Sequence, residues 1–426
     1  MRPLLAAYDL AARLAIAAAG VAPAGGSKLI RTLRARRGLA ARYHAWAVAH
    51  RDLARPLLWI HAPSVGEGLQ ARPVLERLRQ THPHLQLAYT HFSPSAETFA
   101  SRLDVDFRDY LPFDATSAMR SALESLRPTA LVFAKLDVWP TLTREADARG
   151  VRLGLISATL AQDSSRRGGI AAAMLHDAYA RLDLVGAIDA ADAARLTELG
   201  VRPEAIEITG DTRYDQVWMR AAHVDRRGPL LSPLASARPT LVAGSTWPRD
   251  ERAVLPAWLD VRRALPDARL IIAPHEPTPA HIAPLERWAE ASGLTHARLG
   301  SDSAASVDVV IVDRVGVLGD LYALADVAFV GGGFHDAGLH SVVEPAAFGA
   351  PVLFGPRWRA SRDAALLLEA RGAVVVGDAP AMARQLREWL TSAEARRAAG
   401  DRARTVVRTG VGAAERTVAM VARLLG

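Results

Sequence analysis

From Leu57 onward, short apolar runs alternate with longer segments in which apolar residues recur every three or four positions. That alternation predicts parallel strands joined by amphipathic helices. Strands are expected at 57–61, 85–90, 130–134, 152–156, 184–188 and 206–209, with helices over 68–79, 95–103, 116–126, 139–149, 170–181 and 190–199. Between Tyr214 and Pro239 the pattern gives way to Arg, Pro and Ser, which marks the expected linker. A second strand series follows at 240–243, 270–273, 309–312, 327–330, 352–354 and 373–376. The final helix, 411–425, has one apolar face and is expected to cross back to the first domain. The predicted fold class is therefore α/β. It comprises an apolar segment (1–28), one domain over 29–219, a second over 238–408, and a returning helix (409–426). Both sheets are expected to be parallel and to face a central cleft lined by strand ends.

Composition narrows the range of partners. A chain of 426 residues exceeds one ordinary core, and its net charge of +7 favours anionic ligands. No aromatic-rich basic motif of a nucleic-acid module is present, so a lipid or phosphosugar fits better than nucleic acid. The absence of cysteine excludes disulfides and thiolate metal sites. The first 21 residues are mostly Ala and Leu but include Asp9 and Arg13, and Lys28, Arg31, Arg34, Arg36, Arg37 and Arg42 follow. Such a segment either lies at an anionic membrane surface or packs as a helix on its own domain.

The candidate chemistry sits at predicted strand ends. Gly331, Gly332 and Gly333 follow the strand at 327–330, and a short helix near Ser341 is expected to carry Glu344 on the same face as His340. Glycine amides and a helix start suit a phosphate, and Glu344 suits a ribose diol, so the block fits a nucleotide-sugar donor. Gly244, Ser245 and Thr246 lie between a strand and a helix and offer further donors, or act only as a helix cap. His275 ends another strand. In the first half, Ser64 and Gly66 shape a turn before Glu67. A carboxylate there either takes a proton from an acceptor hydroxyl or simply complements the helix dipole. His82, His84 and His91 read as polar surface rather than a metal site, and no metal is expected. Arg166 and Arg167 could meet a phosphorylated acceptor or sit in solvent at a helix start.

The segment His61-Ala-Pro-Ser-Val-Gly-Glu67 resembles the signature of the 3-deoxy-D-manno-octulosonic acid (Kdo) transferases. Further segments resemble that family in the same order: Leu111-Pro-Phe-Asp114, Val138-Trp-Pro140, Ile156-Ser-Ala-Thr159, Gly210-Asp-Thr-Arg-Tyr-Asp215, Ala243-Gly-Ser-Thr-Trp-Pro248, Ala273-Pro-His275 and the block 331–356. The resemblance implies a GT-B fold of two Rossmann-like domains. It also implies inverting transfer of Kdo from CMP-Kdo to a lipid A precursor at the cytoplasmic face of the bacterial inner membrane, with no metal or other cofactor. Glu67 becomes the expected catalytic base, with Asp137 supporting the acceptor side. Gly244, Ser245, Thr246, His275, Gly331, Gly332, Gly333, His340, Ser341 and Glu344 are expected to hold the donor. Ser64, Gly66 and Lys135 are expected to meet the acceptor, Lys135 as a cation for an anionic substrate. Three departures stand out. Lys135 and Asp137 replace a Glu-x-Glu before Trp-Pro, His275 stands in place of an Arg-His pair, and His340-Ser341 replaces His-Asn. The same residues also fit a GT-B enzyme using another nucleotide sugar and acceptor, or a silent homologue that binds glycolipid.

Overall fold

The two strand series build two seven-stranded sheets with every pair parallel. The computed structural model describes residues 2–21, 27–161, 164, 166, 168–336 and 338–426. They fall into two compact units, 1–216 with 412–426, and 217–411. Unit 1 holds β1 (Leu57–His61), β2 (Gln86–His91), β3 (Phe107–Tyr110), β4 (Ala130–Ala134), β5 (Arg152–Ala158), β6 (Leu184–Ala187) and β7 (Ile206–Ile208). Unit 2 holds β8 (Thr240–Thr246), β9 (Arg269–Pro274), β10 (His296–Arg298), β11 (Val309–Ile311), β12 (Val327–Val330), β13 (Val352–Phe354) and β14 (Ala373–Val375).

Strand order is β3-β2-β1-β4-β5-β6-β7 in unit 1 and β10-β11-β9-β8-β12-β13-β14 in unit 2. In each sheet the chain runs outward one way and then returns to the centre to run the other way. Loops leaving β1 and β4, and likewise β8 and β12, diverge in opposite directions and leave a crevice at their carboxyl ends. Central strands are buried along their whole length, as β1, β2 and β4 show. That burial explains why their sequences are continuous apolar runs. The edge strands β3 and β10 have no such run, and only their buried positions Phe107, Tyr110 and Ala297 are apolar. They escaped the pattern for that reason.

The stretch expected to be a linker begins instead with the helix Arg213–His223. Its first turn belongs to unit 1, where Asp215 performs a capping task. The returning helix Ala413–Ala422 has glycine at its N-cap and no side chain of its own to cap it. Asp215 supplies the oxygens, accepting the amides of Gly412 at 2.7 Å and Ala414 at 2.9 Å. Buried apolar residues of that helix, Val418, Met420 and Val421, then join the core formed by Leu58, Ile60 and Val132.

The helix Arg2–Val21 is amphipathic in an unusual sense. Two of its polar residues face the protein: the Tyr8 hydroxyl donates to Asp114 Oδ2 at 3.0 Å, and Asp9 Oδ1 accepts the Thr116 amide at 2.6 Å, while Arg13 is exposed and pairs with Asp9. Asp114 also accepts the amides of Thr141 and Leu142, so one carboxylate fastens this helix, the loop after β3 and the helix Pro140–Asp147. Leu10 (58% exposed), Leu14 (63%) and Val21 (82%) point outward. The segment 4–21 is long and apolar enough to cross a membrane, with a mean hydropathy of 1.6.

Replacing Asp215 with Ala leaves two helix-start amides without acceptors, a loss of about 1–3 kcal/mol. Urea unfolding of Asp215→Ala should show that loss in unit 1, and Asp215→Asn, which keeps one oxygen, a smaller one. Equal stability of the alanine variant and the parent would refute the trans-capping role.

Candidate active site

In unit 1 the chemistry gathers where β1 and β4 end. Ser64 caps the helix Val65–Thr81, its hydroxyl oxygen accepting the Gly66 amide at 3.2 Å while its proton goes to Glu67 Oε2. Glu67 lies in the first turn, where the helix dipole favours a carboxylate. Its other oxygen, Oε1, is 3.2 Å from Lys135 Nζ. Lys135 is the first residue after β4 and holds a left-handed backbone at φ +66°, a conformation that costs a non-glycine residue roughly 1–2 kcal/mol. Burial pushes the Glu67 pKa up, but the Ser64 hydroxyl and the Lys135 charge outweigh it and hold the carboxyl below its ordinary range. The pairing gives the Lys135 ammonium, expected to serve an anionic substrate, a carboxylate partner within the same site.

Asp137 is anchored by aromatic and cationic neighbours. Trp139 Nε1–H is shared between Asp137 Oδ2 at 3.0 Å and His61 Nε2 at 3.1 Å. Arg166, which the sequence left open between ligand and solvent, lies 3.5 Å from Asp137 Oδ1 and also donates to the carbonyl of Leu136. Arg167, its partner in that reading, lies outside the described residues. Burial works against the Asp137 charge, but His61, Arg166 and Trp139 prevail, so its pKa is lowered. The motif around 210–215 braces the helix that carries Glu67. Thr212 Oγ1 donates to the carbonyl of Gln70 at 2.6 Å and meets Ser157 Oγ at 2.9 Å, while Gln70 Nε2 donates to Asp211 at 3.3 Å.

In unit 2 the expected donor residues converge on the carboxyl ends of β8, β9 and β12, but two of them do different work from that expected. Two of the three glycine amides are engaged rather than open to an anion: Gly331 N–H donates to the carbonyl of Gly244 at 2.9 Å, and Gly332 N–H to Asp250 Oδ2 at 2.8 Å. Asp250 is fully buried and also accepts the amides of Trp247 and Phe334. Glycine is needed for close packing instead. A Cβ at Gly331 would lie 2.2 Å from the Ser245 carbonyl oxygen, and one at Gly332, where φ is +92°, would lie 2.1 Å from that of Gly338. The helix bearing Glu344 spans only Val343–Ala347. His340 and Ser341 precede it, so His340 and Glu344 do not share a helix face.

His340 belongs to a ring stack that the sequence did not reveal. Trp247 lies between His275 (centroids 4.7 Å apart) and His335 (4.6 Å), and His275 stacks on His340 at 4.4 Å. Trp247 Nε1–H donates to His340 Nε2 at 3.1 Å. Burial pushes His340 down to about 4, helped by His275 and His335, so it is neutral and able to accept at ordinary pH. Thr246 Oγ1 donates to Glu251 Oε1 at 2.9 Å. Glu344 is half-buried, and its charge adds to burial in raising the Tyr322 phenol. Among the described residues, no group of three or more His, Cys, Asp or Glu could hold a metal ion.

The sequence model of the 3-deoxy-D-manno-octulosonic-acid transferase (kdotransferase) family matches residues 31–216. Over 401 residues the chain is 30% identical to the 3-deoxy-D-manno-octulosonic acid transferase of Bordetella pertussis, covering 90% of each chain. The chain belongs to the Kdo transferase family. The Haemophilus influenzae Kdo transferase is 27% identical over 398 residues, 91% of each chain. Among solved structures, UDP-GlcNAc 2-epimerase from Neisseria meningitidis superposes with a TM-score of 0.64 at 14% identity, covering 86% of this chain and all of that one. That likeness gives the fold, GT-B with two Rossmann-like units. As a Kdo transferase, the protein is a glycosyltransferase.

The Glu67–Lys135 pair has a measurable signature. Removing the ammonium in Lys135→Met removes one of the contacts that lower the Glu67 pKa, so the carboxyl should titrate at higher pH. Glu67 stabilises the fold above its unfolded pKa and loses that contribution as pH falls through its folded value; in the variant the loss should begin at higher pH. Carbon-detected NMR of the Glu67 carboxyl tests this, and an unmoved titration would show that Lys135 does not act on it.

Proposed function

We propose that this Kdo transferase moves Kdo from CMP-Kdo to a hydroxyl of a lipid A precursor, with Glu67 as general base. One observation carries the reading: at the crevice end of β1, a half-buried carboxylate is kept ionised by Ser64 and Lys135. The acceptor oxygen attacks the anomeric carbon of Kdo and its proton passes to Glu67. The bond from that carbon to the phosphate oxygen breaks in the same step, and CMP leaves with the electron pair. A single in-line displacement inverts the anomeric configuration. Asp137, fixed by Trp139 and Arg166, orients the acceptor sugar. Ser245 and the first turn of the helix Pro248–Ala264 hold the phosphate, a role that the engaged amides of Gly331 and Gly332 do not fill. Glu344 takes the ribose diol.

The reading includes a location. The helix Arg2–Val21 is held by its polar side and presents Leu10 and Leu14 outward, which suits the cytoplasmic surface of the bacterial inner membrane, where a lipid acceptor is presented.

Two measurements test the assignment. Glu67→Gln keeps the shape of the side chain and loses its basicity, so transfer from CMP-Kdo to a tetra-acylated lipid A precursor, weighed by mass spectrometry, should fall roughly 10²–10⁴-fold. Turnover near that of the parent would remove Glu67 from the chemistry. Glu344→Ala should weaken CMP binding about ten- to a hundredfold by calorimetry, the value of a charge-assisted hydrogen bond. Unchanged affinity would leave Glu344 with a structural role only.

A further inference from the structure

Unit 1 carries a second feature at the same sheet edge, outside the Glu67 site. An open pocket of about 860 Å³ is lined by Arg31, Arg34, Arg37 and Arg42 together with Ser95, Tyr110 and two carboxylates, Asp109, which pairs with Arg42, and Glu97, which accepts the Tyr110 hydroxyl at 3.1 Å. Ser95 follows β2 and Tyr110 ends β3, so the pocket opens at the carboxyl edge on which Glu67 also lies. β3 is two strands from β1, a separation of roughly 10 Å at the usual strand spacing.

The four guanidinium groups are not equivalent. Arg42 is committed to Asp109 at 2.7 Å, and Arg37 donates to the carbonyl of Ala19 at 2.9 Å. Arg31 and Arg34 are exposed and have no side-chain partner among the described residues. Four like charges on a loosely held segment would spread apart, but Arg36 prevents this. Its buried guanidinium lies 3.9 Å from the centre of the Phe92 ring and donates to the carbonyls of Thr32, Phe92 and Leu111. The basic run is thus pinned to the loops after β2 and β3, with two unpaired planar forks facing the pocket. Such forks match the oxygens of a phosphate.

What distinguishes a lipid-borne phosphate from a soluble one is the neighbouring surface. The carbonyl that Arg37 holds belongs to the helix Arg2–Val21, whose Leu10, Leu14 and Val21 are exposed, and Leu29 on the next helix is 68% exposed. A soluble phosphate makes no use of these side chains, whereas a bilayer does. We propose that this pocket is a headgroup site, taking the phosphate of an anionic bilayer lipid while the apolar side of the helix Arg2–Val21 lies in the interface. The proposal rests on the membrane location given above.

The test uses the full chain, sedimented with vesicles of phosphatidylcholine alone or mixed with phosphatidylglycerol. The double variant Arg31→Gln/Arg34→Gln should bind the phosphatidylglycerol vesicles roughly thirtyfold more weakly, with little change on phosphatidylcholine. Arg384→Gln/Arg397→Gln removes the same charge from exposed helix positions of unit 2 and should leave binding unchanged. An equal loss in both double variants would mean diffuse attraction by net charge and would overturn the pocket. So would a raised Michaelis constant for detergent-dispersed acceptor with vesicle binding intact, since the pocket would then serve the acceptor. If the unsubstituted protein ignores both kinds of vesicle, the membrane location itself fails. None of the vesicle readings depends on Kdo transfer.

Discussion

A parallel strand ends at the same edge as its neighbours, and this geometric constraint governs the molecule. Every loop that leaves a carboxyl end in unit 1 emerges on one rim, so residues far apart in sequence, such as Glu67, Lys135 and Arg166, become neighbours without any long-range device. Where the strand order reverses, the loops part, and only there can a side chain occupy the gap without meeting the next connection. The same rule places Ser245 and the glycine turn of unit 2 side by side after β8 and β12.

Close quarters at these rims are maintained by buried carboxylates that accept main-chain amides. Asp250 gathers the amides of Trp247, Gly332 and Phe334, and Asp114 those of Thr141 and Leu142. Each fixes a loop to a helix start, where amides lack intrahelical acceptors. A site built this way is rigid before substrate arrives, because its hydrogen-bonding capacity is largely used internally. Lys135 and Glu67 follow the same economy: each satisfies the other, and neither side chain waits unpaired for a ligand.

Much of this was legible in the residues, for identifiable reasons. Central strands announced themselves because burial on both faces requires unbroken apolar runs; β3 and β10 did not, because edge strands keep polar positions. The candidate residues could be placed at strand ends because motifs such as 61–67 and 243–248 are local in sequence. Their partners were not. Nothing near Glu67 in the chain signals Lys135 except a departure from the family pattern, and the stack of His335, Trp247, His275 and His340 joins three separate loops. The glycine turn misled in a specific way. Three glycines fit both an anion cradle and tight backbone crossing, and at Gly331 and Gly332 only the partners of the amides separate the two. Asp250, three residues after Trp247, was the readable sign, since that spacing suits a side chain reaching back to a helix-start amide.

The clasp between Asp215 and the amides of Gly412 and Ala414 has a consequence for biogenesis. Unit 1 is discontinuous: its final segment, 412–426, follows the whole of unit 2 in the chain. During synthesis the first 216 residues therefore wait with an uncovered apolar strip, the surface later shielded by Val418, Met420 and Val421, while 217–411 emerges with all its own strands. The later half can close first, and the earlier half is sealed last. A ribosome that stops just before Gly412 would release a finished second unit joined to an unsealed first one. The helix Ala413–Ala422 thus covers a core that the strands of the first unit began.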